Sequence, residues 1–383
     1  MKTCERPELM PTPDEILDAL LANAVKLGDK PAVADKAILE RIDYVCRCLG
    51  NRAGVRLLMS CMLAKLDRPK VDPRKPYTEI GGKDSFSGRT YDERYLTGFI
   101  SANRLPCNST TAFLTPALRN QDSMLTKRTV LVGRPPQVYQ DTLQLLDDVA
   151  SGKVSADQVL TDVIRILISV RDDKLARMKG LVKALQHGDD ALPLPTEGIV
   201  RLLEQHLACK HSSRLPVLIV AAAYQSAAER LGENACVLKG HLSADEQSGA
   251  LGDVEVCLVN DEHVVTVYEM KSKRVTHDDI DRALQKIVGC DPRIDNYIFI
   301  TTEGIDDEVR EYAAEIYDQT NGTEVAILDC IGFVRHFLHL FHRRRIEFLD
   351  TYQAFVLAEP ESAVNQPLKE AFLTLRQAAE SDE

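Results

Sequence analysis

Three ionisable side chains interrupt two apolar stretches in the last third of the chain. Asp253 begins the stretch Asp253–Val259, and Glu269 and Lys271 lie near the end of the stretch His263–Lys271. A charged group inside a buried sheet is costly unless it is paired or binds a metal ion. Two neighbouring carboxylates favour a cation between them, and their oxygen atoms suit Mg²⁺. With a lysine beside them, they could activate water and stabilise charge on a phosphate ester, so the pattern predicts magnesium-dependent hydrolysis.

A β-hairpin would bring these three side chains together. If residues 260–262 form a three-residue loop, counting back along both strands puts Asp253 opposite Glu269, roughly 5 Å apart at Cβ. Strand alternation then places Lys271 on the same face. A two-residue loop would instead turn Glu269 to the other face, because a shift of one residue reverses every side chain. The non-catalytic alternative is an ion-paired cluster of the three groups at the end of a sheet.

The flanking sequence predicts the elements that must hold this hairpin. Helical patterns cover 216–231, 277–289 and 306–318, strands are predicted at 236–239, 253–259, 263–271, 296–301 and 324–329, and a further helix begins near Ile331. The resulting order, αβββαβαβ, predicts an α/β (α+β) fold with a mixed sheet that is covered by helices on both faces.

Asp253, sixteen residues before Glu269-Met270-Lys271 and framed by one helix on each side, resembles the PD-(D/E)xK nuclease core. The resemblance extends over about residues 214–302. It implies a nuclease in which Asp253, Glu269 and Lys271 are catalytic and in which Asp253, Glu269 and Met270 hold Mg²⁺. One departure is glycine at position 252, where the name of the motif has proline.

The two helices that frame the predicted hairpin contribute further candidates. Glu229, near the end of the preceding helix, is a candidate supporting acid. Gln285 and the adjacent Lys286, on the following helix, are candidates for positioning water or phosphate, with solvated surface as the alternative.

A second resemblance lies upstream. The stretches Lys75–Tyr95 (KPYTEIGGKDSFSGRTYDERY) and Leu105–Asn120 (LPCNSTTAFLTPALRN) resemble restriction endonucleases of the SacI type. This resemblance implies a bacterial type II enzyme that cuts double-stranded DNA at a short defined sequence. It also implies functional pairing with a cognate DNA methyltransferase.

The same stretches carry side chains suited to DNA. Arginine can bind guanine edges or phosphates with two donors, and asparagine can pair with adenine. The candidate DNA-binding residues are Lys83, Arg89, Arg94, Asn103, Arg104, Asn108, Arg119 and Asn120. The alternative is a structured loop whose arginines form salt bridges with Asp84, Asp92 and Glu93.

Composition and charge restrict the function classes. The 383-residue chain has a net charge of −11, yet from Lys65 to Arg134 it has 13 Lys or Arg and 7 Asp or Glu, a local excess of positive charge. That basic segment can bind DNA, whereas the acidic remainder of the chain repels it. The chain has no apolar run of the roughly 18 residues that a membrane span needs. Its beginning lacks the apolar stretch of a secretory signal, so we expect a location in the bacterial cytoplasm.

The chain is predicted to comprise five regions. These are an N-terminal helical region (1–68, with helices at Asp14–Leu27, Asp35–Leu49 and Ala53–Leu66), a Gly/Arg/Asn-rich DNA-recognition segment (69–136), a helical linker (137–212), the nuclease core (213–345) and a C-terminal helical tail (346–383). Since a palindromic duplex has two equivalent scissile bonds, we expect a homodimer. The alternative functions are a non-catalytic DNA-binding or assembly protein on a nuclease-like scaffold, and a DNA-repair nuclease.

Overall fold

The computed structural model describes residues 11–48, 50–108, 110–119, 121–185, 193–236, 251–259, 261, 263–288, 290, 293–320 and 322–381. The chain divides into two compact units, Met1–Arg177 and Met178–Glu383. The boundary lies inside one long helix, so the two units share the region 137–212 that the sequence assigns to a helical linker. No helix in the part of the chain that the structure describes is long and apolar enough to cross a membrane.

The first unit is built around a central helix. Its helices are α1 (Pro13–Leu27), α2 (Lys36–Arg47), α3 (Ala53–Asp67), α4 (Gly88–Tyr91), α5 (Thr97–Ala102), α6 (Gln137–Ala150) and the first part of α7 (Ala156–Ala184). Every residue from Ala53 to Ala64 is buried, as expected for a helix that is apolar on all sides. A Cβ atom on Gly54 would lie 2.4 Å from a Val138 methyl carbon, so glycine permits the close contact between α3 and α6. The three helices predicted for the N-terminal region are confirmed.

The segment 69–136 has little regular structure but is folded onto these helices. Phe86, Tyr91, Phe99 and Phe113 are all buried in the core of the first unit. One π-helical turn, Asp92–Leu96, joins α4 to α5. The aromatic side chains therefore order this segment, as their frequency in the sequence predicts.

The second unit contains the predicted mixed sheet. Its elements after α7 are α8 (Thr196–Leu207), α9 (Leu215–Leu231), β1 (Glu233–Ala235), β2 (Val254–Leu258), β3 (Val264–Lys271), α10 (His277–Ile287), β4 (Asn296–Thr301), α11 (Asp307–Gln319), β5 (Glu324–Asp329), α12 (Cys330–Leu340), α13 (Arg345–Ala358) and α14 (Gln366–Ser381). The strand order is β1-β2-β3-β4-β5. The pairs β1–β2 and β2–β3 are antiparallel, whereas β3–β4 and β4–β5 are parallel. The predicted α/β class with a mixed sheet is confirmed.

Helices cover both faces of this sheet. On one face, Val254, Val256 and Tyr268 share a core with residues of α9, α12 and α13. On the other face, Val267 and Phe299 share a separate core with residues of α10 and α11. Alternation along β3 therefore divides the strand between two cores, and the odd-numbered residues of its second half face α10.

One predicted strand differs in its bounds from the structure. The first strand of the sheet is Glu233–Ala235 rather than 236–239, of which residues 237–239 lie outside the described part of the chain. Within the region 137–212, Ala156–Ala184 is one continuous helix, α7. The region 346–383 forms α13 and α14, and Phe372 is fully buried in the core of the second unit.

Candidate active site

The register of β2 and β3 brings Asp253 next to the segment that carries Glu269. Val254 pairs with Tyr268, as the sequence predicts, and Asp253 lies directly before this pair. The pairing changes at a β-bulge nearer the hairpin connection. Counting along the sequence pairs Cys257 with Val265, whereas Cys257 pairs with Val264 in the structure. Residues 260 and 262 of the predicted loop lie outside the described part of the chain.

Asp253 is hydrogen-bonded to the residues on both sides of Glu269. Its backbone N–H donates to the Tyr268 carbonyl at 2.8 Å, and its Oδ2 atom accepts from the Met270 N–H at 2.7 Å. The N–H and C=O of one strand residue point to the same side of the strand. The Met270 carbonyl therefore points towards β2 and Asp253, which is the side required of a backbone metal ligand.

Gly252, which stands where the motif has proline, is required by the closeness of β3. A Cβ atom at this position would lie 2.4 Å from Val267 Cγ1 and 2.8 Å from the Tyr268 carbonyl oxygen. Any larger residue would push the start of β2 away from β3. Glycine is thus the residue that allows Asp253 to reach Met270.

The Glu269 carboxylate lies among three donors on the α10 face. Its Oε1 atom is 3.2 Å from Lys271 Nζ. Its Oε2 atom is 3.2 Å from the Tyr297 hydroxyl and 3.5 Å from Lys286 Nζ. The side chain retains 16% of its exposure, so it is sheltered but still open to solvent.

Asp279, which the sequence did not single out, contacts Lys271 from the first turn of α10. Its Oδ1 atom lies 3.2 Å from Lys271 Nζ and 2.6 Å from an Arg282 nitrogen. Its Oδ2 atom accepts from the N–H and hydroxyl of Thr276, which forms a capping box with it. Partial burial raises the pKa of Asp279, but the hydrogen bonds from Thr276 and Arg282 and the charge of Lys271 outweigh it and lower the pKa to about 2.

The structure separates the two candidate supporting residues from this cluster. Glu229 belongs to α9, which packs on the opposite face of the sheet, and its 85% exposed side chain pairs with Arg344 at 3.2 Å. Gln285 is exposed on α10, while the adjacent Lys286 is the residue that reaches Glu269. On a helix, neighbouring residues point about 100° apart, so only one of the two can face the sheet.

The candidate DNA-binding residues in the first unit fall into two groups. Lys83, Arg89, Arg94, Arg104 and Arg119 are exposed, whereas Asn103 and Asn108 are partly buried and Asn120 lies outside the described residues. The Asn103 side chain donates to the Phe99 carbonyl at 3.0 Å, so it completes a helix end. Arg89 pairs with Glu93 at 2.7 Å, and the Arg94 guanidinium lies 5.4 Å from the Tyr95 ring centre.

A buried ion pair that the sequence did not predict orders this segment. Arg56 of α3 is 1% exposed and contacts Asp92, which is fully buried. Arg56 also donates to the Asn108 carbonyl at 2.5 Å, and Asp92 accepts from Thr111 Oγ1 at 2.7 Å. The alternative prediction that Asp92 pairs with an arginine of the loop is therefore replaced by a pair with the core helix.

Asp279 had a partial signal in the sequence, because Thr276 and Asp279 have the spacing of a capping box. Lys286 is itself one of the candidates that the sequence supplies, and the structure places it beside Glu269. Tyr297, by contrast, is one aromatic residue in an apolar strand and has no local signal.

No protein-family model matches this chain. No curated protein matches it either. The function is therefore inferred from the geometry of the two units.

Proposed function

We propose that this chain is a magnesium-dependent endonuclease that hydrolyses phosphodiester bonds of double-stranded DNA. The proposal rests on one arrangement. Asp253 is hydrogen-bonded to Met270, and Glu269 and Lys271, on either side of Met270, lie 3.2 Å apart on the α10 face. The expected PD-(D/E)xK core remains part of this proposal.

The donor atoms suit a hard divalent cation. Asp253 and Glu269 supply carboxylate oxygens, and the Met270 carbonyl points to the same side of β3 as Asp253. These are the ligands that Mg²⁺ accepts, with water completing its octahedral coordination. Bound there, Mg²⁺ would lower the pKa of water and neutralise charge on a phosphate. Glu269 would exchange one of its ammonium contacts for the cation.

Two lysines would supply the rest of the catalytic chemistry. Lys271 holds an ammonium beside the Glu269 carboxylate, where it can orient the attacking water and stabilise the negative charge that develops on the phosphate oxygens. Lys286 approaches Glu269 from α10 and adds positive charge to the same pocket. In-line attack by water on phosphorus would leave 5′-phosphate and 3′-hydroxyl ends.

The upstream segment supports DNA as the substrate. The stretch from Lys65 to Arg134 is basic in an acidic chain, and it presents exposed arginines on an ordered surface. With its resemblance to SacI-type enzymes, this favours a type II restriction endonuclease that acts in the bacterial cytoplasm with a cognate methyltransferase. A homodimer would match the twofold symmetry of a palindromic site.

Incubation of the purified chain with supercoiled plasmid and MgCl₂ tests the proposal. Discrete fragments support a restriction enzyme, and a smear indicates a less specific nuclease such as a repair enzyme. Intact plasmid that is nevertheless bound by the protein indicates a non-catalytic scaffold and contradicts the proposal. The Lys271→Ala variant, purified in parallel, controls for contaminating nucleases.

Sedimentation with a duplex that contains a cleaved sequence, in CaCl₂ to block cleavage, tests the dimer. Two chains per duplex are expected. One chain per duplex, with double-strand breaks in a single binding event, would contradict it.

A further inference from the structure

Two valines project from the first unit in a segment that has no acidic residue. Val130 and Val132 are 83% and 79% exposed, while Leu131 between them is 7% exposed. This alternation shows an extended strip in which one side anchors to the core and the other side faces solvent. We call residues 127–134 the valine ridge.

The backbone of the valine ridge is fixed at both ends. Before it, the buried Leu125 donates its N–H to the Arg74 carbonyl at 2.8 Å. A turn follows, in which the Thr129 N–H donates to the Thr126 carbonyl at 2.9 Å. At the far end, a Cβ atom on Gly133 would lie 2.4 Å from the Tyr139 ring, so the chain is pressed against α6. Because the backbone of the ridge is already ordered, less conformational entropy is lost when it binds a partner.

Positive charge flanks the valines. The ridge contains Lys127, Arg128 and Arg134 and no Asp or Glu. Lys127 pairs with Asp147 at 3.0 Å, whereas both arginines are exposed. An apolar strip between two arginines matches a groove of duplex DNA, where apolar side chains contact bases and arginines contact the phosphates on either side.

We propose that the valine ridge is a DNA-contacting element, with Val130 and Val132 against the bases and Arg128 and Arg134 on phosphates. This inference rests on the proposed function for the choice of DNA as the polyanion. It adds a binding surface beyond the candidate arginines and asparagines of the two upstream stretches. A membrane surface is disfavoured because two valines bury far less apolar area than the whole helix face of an interfacial anchor.

Binding of a fluorescent mixed-sequence duplex to the full-length chain, in CaCl₂ and over a series of KCl concentrations, tests the ridge. The double variant Val130→Ser/Val132→Ser should bind about tenfold more weakly with an unchanged salt dependence, since burial of even one valine is worth that much. The double variant Arg128→Gln/Arg134→Gln should reduce the slope of log affinity against log salt by about 0.9 for each phosphate that the protein no longer neutralises.

Matched controls are available on the helical surface of the same unit. Val25 on α1 is 64% exposed, and Lys36 on α2 is paired with Glu40 at an exposed site. Val25→Ser and Lys36→Gln should bind DNA like the unmodified chain. An equal fall in affinity for the ridge and control variants would overturn the inference, as would unchanged binding in both ridge variants.

Two further outcomes distinguish DNA binding by the ridge from membrane binding, and distinguish the ridge inference from the proposed nuclease activity. If Val130→Ser/Val132→Ser keeps DNA affinity but no longer binds vesicles containing anionic phospholipid, the ridge is a membrane element and the inference is wrong. If the ridge variants bind DNA more weakly as expected while the unmodified chain never cleaves DNA in MgCl₂, the ridge is supported and only the proposed nuclease activity fails.

Discussion

Asp279 holds the Lys271 ammonium with one carboxylate oxygen and caps helix α10 with the other. The lysine at the end of β3 is therefore tied to the N-terminus of the next helix as well as to Glu269. Such a tie restricts the rotamers of a long side chain before substrate arrives. It also makes the position of Lys271 depend on a residue outside the Asp/Glu/Lys motif.

Asp279→Asn should slow DNA cleavage by about tenfold to a hundredfold, the range found for residues that orient a catalytic group. The amide keeps an oxygen for the Thr276 N–H but loses the charge that faces Lys271. Initial rates at saturating and limiting DNA should show a fall in kcat with KM little changed. Thr276→Val weakens the cap and leaves the Lys271 contact, so an equal fall in both variants would mean that Asp279 acts only through helix stability.

Lys271→Ala should lower the cleavage rate by about a hundredfold or more, because the ammonium is needed for charge that exists only in the transition state. DNA affinity in CaCl₂ should stay within about tenfold, since a group that acts in the transition state contributes little to ground-state binding. A plasmid time course and an anisotropy titration measure the two quantities. Cleavage at the unmodified rate would show that the active site is elsewhere.

Acid should destabilise the second unit through His206. Burial is the main cause that lowers the pKa of His206 to about 4, while its hydrogen bond to the Leu368 carbonyl raises it. The folded state thus takes up a proton less readily than the unfolded chain, whose histidine pKa is about 6.5. Above about pH 6.5, the protonation of His206 should not affect the free energy of unfolding. As the pH falls from there to about 4, this free energy should decrease by about 3 kcal/mol.

Urea unfolding of the unmodified chain and of His206→Gln between neutral and acid pH measures this effect. The glutamine variant is expected to be less stable at neutral pH, but its stability should change less with acid over that window. Parallel pH dependences for the two proteins would assign the acid sensitivity to other groups.

Arg56→Ala should lower the unfolding free energy of the first unit by about 3 to 5 kcal/mol, since it leaves the buried Asp92 carboxylate without its cation. Arg89→Ala, which breaks the exposed pair with Glu93, should cost at most about 1 kcal/mol. Chemical denaturation of both variants makes the comparison. Similar decreases would show that burial does not distinguish the two pairs.

The sequence predicts the elements near the site well because each has its own local signal. Short continuous apolar runs with polar ends mark Asn296–Thr301 and Glu324–Asp329, as is typical of strands buried on both faces, and both strands have those bounds in the structure. Counting back from a three-residue loop predicts the pairing of Val254 with Tyr268, which the structure has. Features that depend on two distant segments have no such signal.

The bulge and the buried ion pair show this limit. An extra residue at Val265 changes the pairing near the connection, yet nothing in the local pattern distinguishes Val264 from Val265. Arg56 looks out of place in an apolar helix, and its partner Asp92 lies 36 residues away in a segment without periodicity. Only the folded chain shows that the two charges meet.

The bulge at Val265 also has a practical use for labelling. It separates the pairing beside the β2–β3 connection from the pairing that holds Asp253, Gly252 and Tyr268 in place. Exposed connections between strands are the places where insertions are best tolerated. The exposed Asp261 therefore marks the position where a fluorophore or a short epitope can be introduced without moving the acidic cluster.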